Sequence, residues 1–383
     1  MIEKVIGMED KVSAIYTGVR RVVVKVGTST LTHTSGNLSL LKMEHLTREL
    51  TDLKHKGLEV ILVTSGAVGA GVSKMGWTEK PKRMAEKQAM AAIGQGILMH
   101  MYEKLFGEYG ETVAQVLLTK EDIQNRERYL NARNTLLTLL GLGVVPIINE
   151  NDTVGIEEIR FGENDTLAAL VAGLVDADLL ILLSDIDGLY TADPRKDPQA
   201  VKIDLVEEIT PEVERLAGAS TSIMACGGMI TKIQAAKIAY RYGVPMVLAN
   251  GATHGVIRDI IAGHNPGTLF LSRDHRIGSK KGWIAFASKP QGTLWLDSGA
   301  EKAIIEKGKS LLPSGIIKVK GNFERGAVVS IMGGSGEIAR GIINYGSEDL
   351  EKIKGCQSKQ ISEVLGYKED DEIIHRDNLT LRF

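Results

Sequence analysis

The sequence RVVVKVGTST at residues 21–30 joins a β-rich apolar run to a small polar loop. Four valines around Lys25 predict a strand that is covered on both faces, as in parallel sheets. A charged side chain in such a strand needs a partner or an open edge. The loop that follows, Gly27-Thr28-Ser29, offers N–H groups and hydroxyls at the carboxyl end of the strand, where open α/β sheets bind ligands. The alternative is a surface lysine on an edge strand.

Outward from this stretch, the order of strand, loop and helix recurs along the chain. The apolar run at 60–63 leads into the small-residue loop TSGAVGAG at 64–71. This recurrence predicts an α/β fold, an open and mostly parallel sheet sandwiched by helices. Further β-rich runs predict strands at 112–118, 144–148, 178–183 and, as the last strand of the domain, 245–249. Helical spacing of apolar residues predicts helices at 40–53, 83–106, 125–140, 167–174 and 252–262, the fourth beginning at Asn164 or Asp165, and a further helix that opens at 225–232 and runs to about residue 242.

Two polar clusters follow predicted strands or begin predicted helices. INENDTV at 148–154 contains Asn149, Asn151 and Asp152, and FGENDTL at 161–167 contains Asn164 and Asp165. Such side chains are unfavourable to bury without partners. The alternative is helix capping and turn chemistry, which accounts for many Asn and Asp clusters. Two clusters so close together along the chain favour a ligand site.

A third candidate site is the glycine-rich helix start ACGGMITK at 225–232. The N-terminus of a helix binds anions through its free N–H groups and its dipole. Lys232, in the first turns, would be a second cation near phosphates. The alternative for Gly227-Gly228 is an ordinary flexible turn.

The alternation of strands and helices stops at about residue 267. Short strands broken by glycines follow between 290 and 370, with one helix at 300–307, and predict a small β-barrel. We therefore predict five segments: an N-terminal extension (1–20), an α/β domain (21–270), a linker (271–289), a β domain (290–370) and a C-terminal tail (371–383).

The composition limits the classes of protein to which the chain can belong. With 43% apolar and 25% charged residues, the chain can bury a core, and its net charge of −2 gives no basic arm for polyanions. Its two cysteines, Cys226 and Cys356, are too far apart in sequence to indicate a metal or disulfide framework. No apolar run is long enough to span a membrane, and charged residues interrupt the first twenty positions. We expect a cytoplasmic protein.

The motifs together resemble the amino-acid kinase family, and within it the glutamate kinase branch with a C-terminal PUA domain. The resemblance covers about residues 20–370. Gly27-Thr28-Ser29 favours this branch, since other branches typically carry a Gly-Gly or Ser-Gly pair there. Its carriers are KVGTSTL (25–31), TSGAVGAG (64–71), INENDTV (148–154), FGENDTLAA (161–169), LLSDIDGLYTADPR (182–195), CGGMITK (226–232), LDSGAEKAI (296–304) and NYGS (344–347).

The resemblance implies a role for each matching position. Lys25 and Lys232 would hold the nucleotide phosphates, and Asp165 would orient both lysines and help to place Mg²⁺. Where the family commonly has Gly-Thr, this chain has Ala225-Cys226, so a threonine contact to the nucleotide is not carried over. The implied glutamate contacts are Ser65, Asn149, Asn151, Asp152 and Asn164. The implied nucleotide contacts are Lys25, Gly27, Ser184, Asp185, Cys226, Gly227, Gly228, Met229, Ile230, Thr231 and Lys232.

The implied reaction is transfer of the γ-phosphoryl group of Mg-ATP to the side-chain carboxylate of L-glutamate, the first step of proline biosynthesis. The resemblance also implies feedback inhibition by proline and a homodimer or homotetramer. One alternative is a kinase of the same fold that acts on aspartate, N-acetylglutamate or UMP. A second alternative is RNA binding by the PUA domain, because residues 301–325 contain six Lys or Arg and only three Glu. That excess is small, so an accessory or assembly domain is preferred.

Overall fold

A computed structural model of the protein describes residues 12–13, 15–33, 36–79, 81–155, 164–219, 228–272 and 279–381. The chain divides into two compact units, Met1–Ile123 with Glu127–Arg276 and Gln124–Arg126 with Ile277–Phe383. The main division falls within the stretch that we predict as a linker, residues 271–289. The exact domain boundaries given above remain predictions.

The first unit is built on an eight-stranded sheet with the order β3-β4-β2-β1-β5-β9-β10-β8. Its neighbouring strands are parallel except for β9 and β10. This confirms the predicted open, mostly parallel sheet. The strands before residue 271 are β1 (Arg21–Val26), β2 (Glu59–Val63), β3 (Val113–Leu118), β4 (Val145–Glu150), β5 (Leu179–Ser184), β6 (Leu189–Tyr190), β7 (Lys202–Ile203), β8 (Leu205–Val206), β9 (Met246–Asn250) and β10 (Thr268–Phe270).

The helices alternate with these strands, as the sequence pattern predicts. The second helix shows why: Met43, Leu46, Leu50 and Leu53 are all buried at helical spacing, and the Ser39 hydroxyl accepts a hydrogen bond from the backbone N–H of Lys42. The helices are α1 (Thr28–Leu31), α2 (Leu40–His55), α3 (Ala67–Lys74), α4 (Met84–Gly107), α5 (Lys120–Gln124), α6 (Arg126–Gly141), α7 (Asn164–Leu174), α8 (Pro211–Ala219), α9 (Met229–Tyr242) and α10 (Val256–Ile261).

Strand β1 lies in the middle of the sheet, between β2 and β5. Its four valines have no exposed surface, and Lys25 is 5% exposed. The alternative of a surface lysine on an edge strand is therefore wrong. After β1 the chain continues towards β2 on one side of the sheet, and after β5 it continues towards β9 on the other side. The loops that follow β1 and β5 therefore diverge. Ligands bind at such a switch point in open α/β sheets.

Helices α3 and α4 approach each other unusually closely. A Cβ atom built on Gly94 would lie 1.7 Å from the carbonyl oxygen of Ala67, and one on Gly71 would lie 2.0 Å from that of Met90. Only glycine permits this backbone contact. Gly66, with φ of +105°, turns the chain from β2 into α3. The contact fixes the loop after β2 against the middle of α4.

Three features of the first unit differ from the predictions. Strand β9 is not the last strand, because β10 follows it and pairs with β9 and β8. Strands of two or three residues are too short to show a periodic pattern, which is why β8 and β10 were not predicted. Tyr16, in the predicted N-terminal extension, is 7% exposed and belongs to the core formed with residues of α2 and α10. Burial raises the pKa of Tyr16 to about 12.

The second unit contains a five-stranded sheet with the order β12-β11-β13-β14-β15. The sequence predicts a small β-barrel in this part of the chain. Strands β12 and β15 lie at the two ends of the observed sheet. Strand β15 pairs with β14, and Ile373, Ile374 and Leu379 are buried in the core. Residues 371–381 therefore belong to this unit, and a separate C-terminal tail is wrong. The elements are α11 (Ser279–Gly282), a π-helical turn (Trp283–Ala287), β11 (Gly292–Leu296), α12 (Ser298–Ile305), β12 (Ile316–Lys320), β13 (Val328–Gly333), β14 (Gly336–Ile342), α13 (Ser347–Ile353), α14 (Ile361–Leu365) and β15 (Leu379–Leu381).

Candidate active site

The carboxyl ends of four parallel strands bring most of the predicted site residues to one edge of the sheet. The register pairs Lys25 of β1 with Val63 of β2 and Leu182 of β5, and pairs Val63 with Ile148 of β4. The residues that follow these positions therefore lie side by side. They are Gly27 after β1, Thr64 and Ser65 after β2, Asn149 near the end of β4, and Ser184 and Asp185 at the end of β5.

A buried carboxylate lies between two buried ammonium groups. Lys25 Nζ is 2.5 Å from Asp165 Oδ1, and Lys232 Nζ is 3.2 Å from Asp165 Oδ2. Each lysine is 5% exposed and Asp165 is fully buried. The Thr231 hydroxyl donates to Asp165 Oδ2 at 2.9 Å. We call Lys25, Asp165, Thr231 and Lys232 the lysine cluster.

The charges of the lysine cluster do not balance. Burial would raise the pKa of Asp165, but the two lysines and the Thr231 hydroxyl lower it to about 2. Asp165 is also the second residue of α7, where the helix dipole favours a negative charge. One negative and two positive charges leave an excess of one positive charge in a buried place. Such a place favours an anionic ligand.

A second group, which we call the amide cluster, consists of Ser65, Asn149 and Asn164. Asn164 Nδ2 lies within hydrogen-bond distance of three acceptors: the Thr64 carbonyl (2.6 Å), Asn149 Oδ1 (2.8 Å) and Ser65 Oγ (3.0 Å). This side chain therefore connects the loop after β2 with β4. Because Asn164 and Asp165 are consecutive, the amide cluster adjoins the lysine cluster.

Asn151 and Asp152 lie in the turn that follows β4. The Thr153 hydroxyl donates to Asn151 Oδ1 at 2.5 Å, and both Asn151 and Asp152 are half-buried. The structure places this turn next to α4, because Gln88 Nε2 donates to the Gly155 carbonyl at 3.2 Å. These contacts hold the turn together and against α4.

Apart from Lys25 and Gly27 after β1, the predicted nucleotide residues fall into two places. Ser184 is buried at the end of β5, and its hydroxyl donates to the exposed Asp185 at 3.1 Å. Gly228 precedes α9, and its carbonyl accepts from the N–H and the hydroxyl of Thr231. Met229 and the exposed Ile230 form the first turn of α9. Two predicted residues, Cys226 and Gly227, lie outside the described residues.

Sequence reasoning missed the residues of α4 that support the amide cluster. Gln95 Oε1 accepts a hydrogen bond from Asn149 Nδ2 at 2.9 Å. Two turns further along α4, the Tyr102 hydroxyl lies 2.8 Å from that of Thr64. Gln95 and Tyr102 are seven residues apart and so share a helix face. The spacing of Gln95 and Tyr102 indicates that they share a helix face. Nothing in the sequence around them indicates which residues outside α4 they contact.

Within the described ranges, no group of three or more His, Cys, Asp or Glu side chains is arranged to hold a metal ion. Among those same residues, no helix combines the length and the apolar character needed to cross a membrane.

The fold and the candidate site agree with the protein families and the relatives to which this sequence is similar. A model of the amino acid kinase family matches residues 20–250, and a model of the PUA domain matches residues 292–365. The chain is 57% identical over 361 residues to a glutamate 5-kinase of Moorella thermoacetica, covering 94% of this chain and 96% of that protein. Glutamate 5-kinases of Caldanaerobacter subterraneus subsp. tengcongensis and Carboxydothermus hydrogenoformans are 56% and 54% identical, with 94% and 96% of this chain and 97% and 99% of theirs covered. The family resemblance inferred from the motifs is thereby confirmed: the chain belongs to the amino acid kinase family.

Proposed function

We propose that the protein transfers the γ-phosphoryl group of ATP to the side-chain carboxylate of L-glutamate, giving γ-glutamyl 5-phosphate and ADP, the first step of proline biosynthesis. The observation that carries this proposal is the lysine cluster, in which one carboxylate is shared by two buried ammonium groups. The excess positive charge suits a phosphoryl group in transfer. The names of the relatives support glutamate as the acceptor.

The proposed chemistry needs cations more than it needs a base. The acceptor carboxylate is already ionised at neutral pH, so no proton has to be removed from it. The difficulty is to bring this anion against the phosphates of the nucleotide. Lys25 and Lys232 would neutralise the phosphates and the charge that moves between donor and acceptor, and Asp165 would hold both ammonium groups in place. Catalysis would then rest on positioning and electrostatic stabilisation.

The amide cluster and the turn after β4 would bind the amino acid. Ser65, Asn149 and Asn164 offer hydroxyl and amide groups beside the lysine cluster. Asp152 is the proposed partner of the α-ammonium group, with Asn151 beside it in the turn. A site that pairs with each polar group of its substrate discriminates strongly against analogues that lack one.

We propose that the nucleotide is bound by Lys25 and Gly27 after β1, by Ser184 and Asp185 after β5, and by residues 226–232 at the start of α9. The start of α9 supports this, because a helix N-terminus favours phosphate. Mg²⁺ would be held mainly by the ATP phosphates, with Asp165 as the nearby carboxylate. Both oxygens of Asp165 already contact lysine or Thr231 side chains, which fits a metal ion carried by the nucleotide. When bound, Mg²⁺ neutralises phosphate charge.

The test is to trap the acyl phosphate. Purified protein is incubated with Mg-ATP, L-glutamate and hydroxylamine, and both ADP and hydroxamate are measured. Parallel reactions contain aspartate, N-acetylglutamate or UMP in place of L-glutamate. In the reaction with UMP, only the formation of ADP is measured. The Lys232→Met variant should form little product. Lys237→Met is its matched control, since Lys237 lies on the same helix and pairs with Glu214. Hydroxamate with glutamate alone supports the proposal, and product with another acceptor alone contradicts it.

The remaining properties are proposed on the resemblance. We propose a cytoplasmic homodimer or homotetramer that is inhibited by proline. Light scattering after gel filtration measures the assembly, and a proline titration of the hydroxamate assay measures the inhibition. RNA binding by the second unit stays a prediction. A filter-binding assay at low and moderate salt tests it, because phosphate contacts give a steep dependence on salt.

A further inference from the structure

The hydrogen bonds of the amide cluster determine which way each amide points. Asn149 Oδ1 lies 2.9 Å from the backbone N–H of Glu150. A backbone N–H can only donate, so the Asn149 atom that faces it must be the oxygen. The other end of the Asn149 amide is then Nδ2, a donor. It faces Gln95 at 2.9 Å, so the Gln95 atom that receives it must be Oε1.

The hydrogen bond from Asn149 fixes the orientation of the Gln95 amide as well, and one donor group is left over. With Oε1 turned to Asn149, the Nε2 group of Gln95 is directed elsewhere. Nε2 is buried, and it has no hydrogen-bond acceptor among the residues that the structure describes. A buried amide N–H without an acceptor is unfavourable and rare in folded proteins. Its place beside the amide cluster indicates that a ligand supplies the acceptor.

We propose that Gln95 Nε2 donates a hydrogen bond to a carboxylate oxygen of the acidic amino acid that the site phosphorylates. This inference rests on the proposed function and adds a specificity-determining residue to it. A carboxylate only accepts hydrogen bonds, and it strengthens those that it receives through its charge. An ammonium group or another N–H donor at the same place would be rejected, because Gln95 presents only hydrogens there.

The contacts of Gln95 assign it to the acid and not to the nucleotide. Gln95 contacts Asn149 of the amide cluster, and Asn149 contacts Asn164. The described contacts of Lys25 and Lys232 are with Asp165 instead. Replacement of Gln95 should therefore alter the KM of the acid and leave the KM of ATP unchanged.

The test is Gln95→Glu, which exchanges the Nε2 amide group for an oxygen and keeps an acceptor for Asn149. A purely structural Gln95 would tolerate this change, whereas a donor to the substrate would not. We expect the KM for L-glutamate to rise about 10- to 100-fold, the effect of losing one hydrogen bond to a charged group. The KM for ATP and the unfolding temperature should stay near the wild-type values. Gln115→Glu, an exposed position on β3, is the matched control.

Two measurements separate the loss of donation from other effects of the substitution: the pH dependence tests whether a proton restores the contact, and the neutral variant Gln95→Met tests the loss of the donor without charge repulsion. The carboxyl group introduced by Gln95→Glu regains a donor when it is protonated, so the KM defect of this variant should shrink as the pH is lowered from about 8 to about 5. The wild-type KM should change less over the same range. Gln95→Met, which removes both polar ends, is measured alongside and should raise the KM at every pH.

The outcomes distinguish this inference from the proposed function. If the wild type forms hydroxamate from L-glutamate and Gln95→Glu has the wild-type KM, the inference is overturned and the proposed function stands. If the wild type phosphorylates aspartate or N-acetylglutamate instead, the proposed function fails, and the KM shift for that acid decides the inference. If the wild type phosphorylates none of the acids, both are overturned.

Discussion

Replacing Asp165 by asparagine should destabilise the ligand-free protein, because it leaves two buried ammonium groups without a counter-charge. Asparagine has the shape of the protonated acid, so the lowered pKa of Asp165 measures the same change. A shift from 3.8 to about 2, at 1.36 kcal/mol for each pKa unit, corresponds to about 2 kcal/mol. Removing one partner of a buried ion pair typically costs about 3–5 kcal/mol. We therefore expect a loss of about 2–5 kcal/mol in the free energy of unfolding.

Thermal unfolding measured without nucleotide tests this expectation. For a unit of this size the loss corresponds to a fall of about 4–20 °C in Tm. Asp204→Asn is the control, since that side chain is 73% exposed beside Lys202 and such pairs contribute little. The folded-state pKa of Asp165 lies below its unfolded value, so its contribution is complete above about pH 4 and is lost as the pH falls towards about 2. The gap between wild type and variant should narrow over that range. Unfolding of Asp165→Asn within about 1 °C of the wild type at neutral pH would refute the reasoning.

Three further variants extend these expectations. Lys232→Met should lower kcat on the order of 10²–10³-fold with a nearly unchanged KM for glutamate, as steady-state kinetics will show, and a near-normal kcat contradicts its role. Asp152→Ala should raise the KM for glutamate and leave that for ATP unchanged; an unaltered glutamate KM removes it from the site. Gly94→Ala should lower Tm by several degrees, because its Cβ would lie 1.7 Å from the Ala67 carbonyl oxygen, whereas Gly96→Ala on the same helix meets nothing within 4 Å and should be neutral or stabilising. Equal Tm values for the two glycine variants would contradict the close contact of α3 and α4.

The long elements of the fold could be predicted from the sequence, because burial imposes a regular pattern on them. The valines of β1 and the apolar spacing of α2 illustrate this, and Ser39 caps α2 as its position indicates. The short strands β8 and β10 could not be predicted, since two or three residues carry no period. Strand β15 was not predicted for the same reason. The buried Ile373 and Ile374 were not predicted as core residues, because acidic residues precede them in the sequence.

The candidate site was predicted only where its residues follow strands or begin helices. Lys25, Asn164 and Asp165 are of this kind, and the structure brings each into contact with a partner that the motifs name. Gln95 is of the other kind, because it lies in the middle of a long helix and its partner Asn149 is on a strand. Contacts of that type depend on how α4 packs against α3, which is set by the close backbone contacts at Gly71 and Gly94.

The lysine cluster also has a consequence for how the chain folds. Its three charges come from β1, from the start of α7 and from α9, segments that are far apart in sequence. Contacts of such high sequence separation form late and slowly, because long loops must close first. A nascent chain that has emerged only as far as α7 holds Lys25 and Asp165 but lacks the second ammonium group. If Lys232 binds the nucleotide as proposed, nucleotide affinity is expected only when synthesis and docking of α9 are complete, and bound nucleotide should then stabilise the finished unit against global unfolding.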